Sequence, residues 1–138
     1  MVENPRVARE EFSFLLGKTV EQIWVWGPIR LVVERGNRPE PMTYVDFEGA
    51  VLIDPDGHEA ALNAVERPAE AGAVLGLLHD RIDGAFYEDG VLYLTFARGT
   101  SLRMLPDEHY ETWTAVGEGR VFQCLPGGEV GSWFAESE

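Results

Sequence analysis

The stretch GVLYLTFARGTSLRMLPDEHYETW, residues 90–113, determines how the chain is organised. Apolar residues occupy every second position from Leu92 to Phe96, which is typical of a β-strand with one buried face. A glycine at position 99 interrupts the alternation, and residues 101–105 resume it. Polar and aromatic side chains then fill positions 107–111. The stretch therefore predicts two strands, a tight connection between them and a dense polar cluster.

The first part of this stretch repeats an earlier segment at an offset of 62 residues, or 63 after the turn at Asp89-Gly90. Apolar residues, turn glycines and an Arg-Gly pair fall in one register, and chance alternation would align only part of this set. The matches are Val20 with Ile82, Trp24 with Phe86, Gly27 with Gly90, Leu31 with Leu94, and Arg35-Gly36 with Arg98-Gly99. We expect an internal duplication, with repeats at approximately residues 4–62 and 67–125.

Each predicted repeat contains a helix followed by about four strands. Asn4-Pro5 is a typical helix start, Gly17 would end that helix, and Pro68 can open the second helix. Because one helix cannot cover both faces of a sheet, two copies would pack face to face around a pseudo-twofold axis. We expect an α+β fold that is mainly antiparallel β, with about eight strands and two helices. The length suits a single domain spanning residues 1–138.

Acidic residues outnumber basic ones by 24 to 11, and the chain carries a net charge of -13. This charge repels nucleic-acid phosphates and anionic lipids, so neither nucleic acid nor a membrane is an expected partner. A basic protein is the partner that the charge favours, although high net charge also serves solubility alone. No apolar run approaches the roughly 20 residues needed to span a bilayer. The single cysteine, Cys124, fits a reducing compartment, and we expect a cytoplasmic protein.

The cluster from Asp107 to Glu111 is the best candidate for chemistry. His109 beside carboxylates could act in general acid/base catalysis, and Glu108, His109 and Glu111 are metal-ligand types. No second ligand set stands at a recognisable spacing, and a structural turn is the competing interpretation. The weak catalytic candidates are therefore Asp107, His109, Tyr110 and Glu111. No phosphate-binding or dinucleotide-binding motif is present, and we expect no cofactor or metal.

Two further segments have more than one interpretation. Residues 54–59 superficially suggest a calcium loop, but the sixth position is Glu59 where glycine is needed, so a hairpin turn is favoured. Trp24 and Trp26 share a strand face and could be buried together in the core. If that face is not covered, it becomes an aromatic interface for a partner or a homodimer, with Trp113 as a third candidate interface residue.

The second half resembles a known group of proteins. The residues that carry the resemblance are Leu-x-Leu-x-Phe-x-x-Gly at 92–99, Pro106-Asp107, Tyr110-Glu111-x-Trp113, Gly117 and Cys124-x-Pro-Gly-Gly-Glu ending at Glu129. They resemble a family of small, acidic actinobacterial proteins of unknown function. The family has no established activity, so the resemblance implies relatives without implying a mechanism.

Three functions are consistent with the sequence. The first is a non-enzymatic binding protein that masks a basic protein partner, by analogy with the small acidic immunity proteins of toxin systems. The second is a small metal-assisted hydrolase with a site at residues 107–111. The third is a structural homodimer. The absence of a catalytic signature favours the first and argues against an enzyme.

Overall fold

The computed structural model describes residues 12–37 and 39–134 and contains two antiparallel sheets with one 3₁₀ helix of ten residues. The strands are β1 Gln22–Val25, β2 Ile29–Glu34, β3 Thr43–Phe47, β4 Gly49–Ile53, β5 Glu59–Asn63, β6 Ile82–Glu88, β7 Val91–Phe96, β8 Ser101–Met104, β9 Trp113–Gly117, β10 Arg120–Cys124 and β11 Val130–Phe134. Six strands form one sheet in the order β1-β2-β3-β9-β10-β11. Five form the other in the order β5-β4-β8-β7-β6.

The turn between β6 and β7 has the geometry that its sequence predicts. Asp89 and Gly90 both have positive φ, 51° and 80°, as a two-residue type I′ hairpin requires. The turn fixes the register, because Glu88 pairs with Val91 and Tyr87 with Leu92. The inward position of Leu92 and Leu94 follows from that register.

The chain crosses twice from one sheet to the other. The first crossing runs from β3 to β4 through the single residue Glu48. The second runs from β8 to β9 through residues 105–112. Consequently β3 pairs with β9 in the six-stranded sheet, and β4 pairs with β8 in the five-stranded sheet.

The core lies between the two sheets as one continuous hydrophobic cluster. The alternation of the strands places their buried residues on the facing sides, and the segment before β1 adds aromatic rings. Phe12 is fully buried, with its ring centroid 4.8 Å from that of Phe122 and 6.0 Å from that of Trp113. Trp113 is 1% exposed and donates its indole N–H to the carbonyl oxygen of Gly90 over 2.8 Å. The indole N–H of Trp113, the one polar group of this large buried side chain, therefore has a hydrogen-bond partner.

The helical prediction was wrong in type. The segment Pro68–Leu77 is a 3₁₀ helix, where an α-helix was expected. Its buried residues, Ala71, Val74 and Leu77, recur every third position, and the 3₁₀ helix places such residues in one line. Gly72 and Gly76 weaken the α alternative because glycine is a poor helix former.

The first predicted helix, after Asn4-Pro5, lies mostly outside the described residues. The described part, residues 12–15, is a 3₁₀ turn. The described chain therefore has more strand and less helix than the expected eight strands and two helices, and it is loosely α+β and mostly antiparallel β. Within residues 12–37 and 39–134, no helix has the length and apolar character to cross a membrane.

Candidate functional site

A pocket of about 540 Å³ opens beside the two crossings between the sheets. The first crossing contributes Glu48, and the second contributes residues 105–107, 110 and 112. Asn63, at the end of β5, and Val65 and Glu66, just after it, complete the wall. Its volume lies within the range of roughly 300–1,000 Å³ that is usual for small-ligand sites.

Backbone hydrogen bonds hold the long crossing against its surroundings. The N–H of Leu105 donates to the Gly49 carbonyl over 3.0 Å, and the N–H of Glu48 donates to the Thr112 carbonyl over 3.0 Å. Between these ends, the N–H of Gly127 donates to the carbonyl of Asp107 over 2.8 Å. The crossing is thus anchored at both ends and supported once in the middle by the turn before β11.

The charged lining of the pocket is entirely acidic. Glu48, Glu66 and Asp107 line it, and none of the described lining residues is basic. The pKa of Glu48 is raised, first by partial burial and then by the negative charges of Asp107 and Glu111. No basic side chain among the described lining residues compensates these negative charges. The pocket therefore has an electrostatic preference for a positively charged ligand.

The remaining lining offers apolar surface, the amide of Asn63, the phenol of Tyr110 and the hydroxyl of Thr112. Val65, Leu105 and Pro106 provide apolar contacts, and Tyr110 is 65% exposed. Thr112 as a whole is only 9% exposed, and its hydroxyl oxygen is buried without a well-formed hydrogen bond among the described residues. Burial raises the pKa of the Cys124 thiol, and the nearby Thr112 hydroxyl opposes this rise with a smaller effect. A buried hydroxyl that is not fully satisfied is uncommon in folded proteins.

The predicted cluster is only partly assembled as a site. Asp107 and Tyr110 line the pocket, whereas Glu108, His109 and Glu111 are exposed and do not. The carboxylate of Asp107 accepts a hydrogen bond from the backbone N–H of His109 over 2.7 Å, as a turn residue does. The imidazole of His109 lies edge-on to the Tyr110 ring, with centroids 6.3 Å apart. These residues therefore do not form a compact catalytic group.

Sequence reasoning missed Glu48, Asn63, Glu66 and Thr112 as pocket residues. Glu48 and Glu66 are distant in sequence from the cluster, and they reach the pocket only because β4 pairs with both β5 and β8. One signal was available in the sequence. Glu48 is a charged residue between two short segments, 43–47 and 49–53, that are rich in apolar residues.

A group of three potential metal ligands occurs elsewhere, at the turn between β4 and β5. Side-chain atoms of Asp54, Asp56 and His58 lie within 4.8 Å of one another, and no other such group occurs within residues 12–37 and 39–134. The carboxylate of Asp54 accepts hydrogen bonds from the backbone N–H groups of Asp56 and His58. These bonds lower the pKa of Asp54. The segment is the hairpin turn that its sequence predicts.

The tryptophans separate into core and surface. Trp113 is buried and is therefore a core residue. The prediction that it could belong to an exposed interface is wrong. Trp24 is half-buried and Trp26 is 56% exposed, so their predicted burial in the core is wrong. Both rings lie over the guanidinium group of Arg30, at 5.5 Å and 4.9 Å.

Comparison with known proteins identifies the family and no specific activity. No curated protein and no solved structure matches this chain significantly. The model of a family of unknown function (DUF6188) matches residues 13–134, which include every described strand of both sheets and all residues of the pocket. The chain therefore belongs to the DUF6188 family of unknown function.

Proposed function

We propose that this is a cytoplasmic, non-enzymatic binding protein that masks a basic protein partner, in the manner of an immunity protein. The observation that carries the proposal is the pocket beside the crossings, whose charged residues are all carboxylates. A single free and buried cysteine, Cys124, suits a reducing compartment. The net charge of -13 would speed the encounter with a basic protein.

The pocket would serve as the central contact of this interface. Burial raises the pKa of Glu48 most, and a cationic side chain that enters the pocket would offset the repulsion from Asp107 and Glu111 that adds to the rise. Tyr110, 65% exposed at the same site, would become buried against the partner, and tyrosine is common at such contacts. Binding should weaken as salt rises, because much of the attraction arises from partly exposed charges.

Affinity capture from the host organism tests the proposal. The wild-type chain, the double variant Glu48→Gln/Asp107→Asn and the control Glu118→Gln would each be immobilised. Glu118 lines a second acidic concavity of about 400 Å³ with Glu34 and Glu40, so the control removes one charge from a comparable surface. We expect a basic protein to bind the wild type and the control, and to be lost from the pocket variant. Equal binding to all three, or no binding, would reject the proposal.

A homodimer is the second proposal, and the exposed aromatic surface supports it. Val25 and Trp26 are 47% and 56% exposed at the end of β1. Arg30 and Asp46 neutralise each other there, so two copies could approach without the repulsion between their acidic surfaces. Light scattering after size exclusion should give a dimer that Trp26→Ser dissociates and Trp133→Ser does not. A wild-type monomer at high micromolar concentration would reject the proposal.

The metal-assisted hydrolase remains the least supported proposal. It would require Asp107, His109, Tyr110 and Glu111 to converge on an ion, with movement of the exposed His109 towards the pocket. A thermal-shift series with divalent cations tests this directly. Stabilisation that His109→Ala abolishes would support the enzyme, and an unchanged melting temperature would count against it.

We also propose that the chain arose by internal duplication, with repeats near residues 4–62 and 67–125 related by a pseudo-twofold axis. Equivalent strands have equivalent partners, which supports this origin. Ile29 pairs with Phe47 between β2 and β3, and Leu92 pairs with Met104 between β7 and β8. The exchange of β4-β5 and β9-β10 between the sheets follows the same rule.

A further inference from the structure

Arg30 reveals how this protein binds a guanidinium group within its own fold. Two nitrogens of Arg30 donate to the two carboxylate oxygens of Asp46, over 2.6 Å and 2.8 Å. The guanidinium carbon lies 3.9 Å from the centroid of the Tyr44 ring. The fork of hydrogen bonds supplies direction, and the ring supplies a cation–π contact. The pair is well covered, since the side chains of Arg30 and Asp46 are only 18% and 20% exposed.

The pocket beside the crossings contains the same components without a guanidinium group. Glu48 and Asp107 supply carboxylates, and Tyr110 supplies an exposed ring. Leu105 and Pro106 supply an apolar wall that would suit the methylene stem of a long side chain. The buried hydroxyl of Thr112, nine-tenths buried and without a well-formed hydrogen bond, is a separate indication that a polar ligand group belongs at this wall.

We infer that the pocket binds an arginine side chain of the partner, in preference to lysine. The inference rests on the proposed function and specifies the chemistry of the contact. Arginine has a planar fork of donors that can engage two carboxylates and stack on a ring at the same time. An ammonium group is compact and strongly hydrated, so it gains the charge attraction without the stacking. The pocket volume of about 540 Å³ is ample for one such side chain and its waters.

Titration with small probes tests this inference without the partner. N-acetyl-arginine amide, N-acetyl-lysine amide and the neutral N-acetyl-citrulline amide would be added to ¹⁵N-labelled protein. We expect the arginine probe to shift the amide resonances of Glu48, Asp107 and Thr112, with lysine several-fold weaker and citrulline without effect. The citrulline comparison isolates the charge, because its head group has a similar shape.

Variants distinguish the carboxylate contact of Asp107 from the ring contact of Tyr110. Asp107→Asn should weaken the arginine probe by about tenfold or more, the scale of one charge-assisted hydrogen bond. Tyr110→Leu should reduce the preference for arginine over lysine, whereas Tyr110→Phe should keep it, because phenylalanine retains a ring. Glu118→Gln should bind like the wild type. Backbone resonances outside the pocket report that each variant is folded.

The outcomes distinguish the inference from the proposed function. Equal binding of the arginine and lysine probes in the pocket would overturn the inference and leave a general cation site intact. Shifts spread over the acidic surface, or no shifts at all, would also overturn the inference. Capture of a basic partner that the Glu48→Gln/Asp107→Asn variant does not weaken would instead remove the pocket from the proposed function.

Discussion

The two crossings both carry the chain from one sheet to the other, but they differ greatly in length. Glu48 alone connects β3 to β4, whereas residues 105–112 connect β8 to β9. The short crossing leaves the backbone of Glu48 no conformational freedom, because the residues on either side are already paired in strands. The long crossing contains residues that the connection does not need. Those extra residues form one wall of the acidic pocket, so the difference in length locates the candidate site.

The long crossing also has a buried end that contributes to stability and an exposed middle that could contribute to binding. The long crossing leads directly into Trp113, the first residue of β9, which is deep in the core, but its middle residues, 107–111, are exposed. Changes at the buried end should therefore affect folding, and changes in the middle should affect the ligand. Glu48 belongs to both categories, since its backbone is part of the junction and its side chain is part of the pocket.

The largest expected effect is at the buried end of the long crossing. Trp113→Ala should lower the free energy of unfolding by about 3–5 kcal/mol, because it leaves a large cavity in the core. It also leaves the Gly90 carbonyl without its indole donor. Urea unfolding measures the loss. Trp26→Ala, at a 56% exposed position, should change stability by less than about 1 kcal/mol. Similar losses in the two variants would contradict the core assignment.

Gly90→Ala tests the support of the long crossing through the turn before β11. Gly90 has a φ of 80°, and an added Cβ would lie 2.7 Å from the Cα of Gly128. Strain and backbone overlap together should lower the free energy of unfolding by about 2–3 kcal/mol. Gly57→Ala is the matched control, because Gly57 has a φ of 90° and nothing within 4 Å. The control should lose only about 1–2 kcal/mol. An equal loss in both would show that the contact with Gly128 is unimportant.

Single-residue insertions compare the crossings directly. A glycine inserted after Glu48 should lower the free energy of unfolding by about 1–3 kcal/mol, because it disrupts the hydrogen bonds of Glu48 and Gly49 to the long crossing. The same insertion after Glu108 should stay within about 0.5 kcal/mol, since that position is exposed. Thermal or urea unfolding of the two chains gives the answer. If the insertion after Glu48 changed stability as little as the insertion after Glu108, the two crossings would not differ in the way described.

The smallest expected effect is a gain in stability. The pKa of Glu48 is raised in the folded chain, so its ionisation opposes folding as pH increases above the ordinary value of 4.5. Glu48→Gln should therefore be more stable than wild type at pH 7, by less than about 1 kcal/mol. The advantage should disappear below about pH 4.5, where the unfolded carboxyl is also protonated. Unfolding curves at several pH values test this, and a variant less stable at pH 7 would reverse the interpretation.

Local patterns in the sequence predicted much of the sheet structure. The strand β7, Val91–Phe96, and the turn at Asp89-Gly90 follow from alternation and turn chemistry, which act over a few residues. The type of the helix after Pro68 was wrong because apolar spacing and glycine content outweighed its helix-start signal. The exposure of Trp24 and Trp26 was also missed, because alternation shows a shared face but not whether anything covers it.

The site was predictable only in part. Residues 107–111 are conspicuous as a polar cluster, and Asp107 and Tyr110 do line the pocket. The opposite wall depends on which strands pair across the chain, and no local pattern encodes that pairing. Glu66 reaches the site only because the β4-β5 hairpin joins β8 in the five-stranded sheet. The residues of the opposite wall are therefore determined by long-range strand pairing and could not be predicted from local sequence.

The exchange of hairpins between the sheets has a consequence for how the molecule comes apart. The first half of the chain supplies β1–β3 to one sheet and β4–β5 to the other, and the second half does the reverse. Neither sheet can be completed by one half, so neither can unfold while the other persists. Denaturation should be a single cooperative event. A chain cut between β5 and the 3₁₀ helix should yield two fragments that are unstructured alone and regain the fold when mixed.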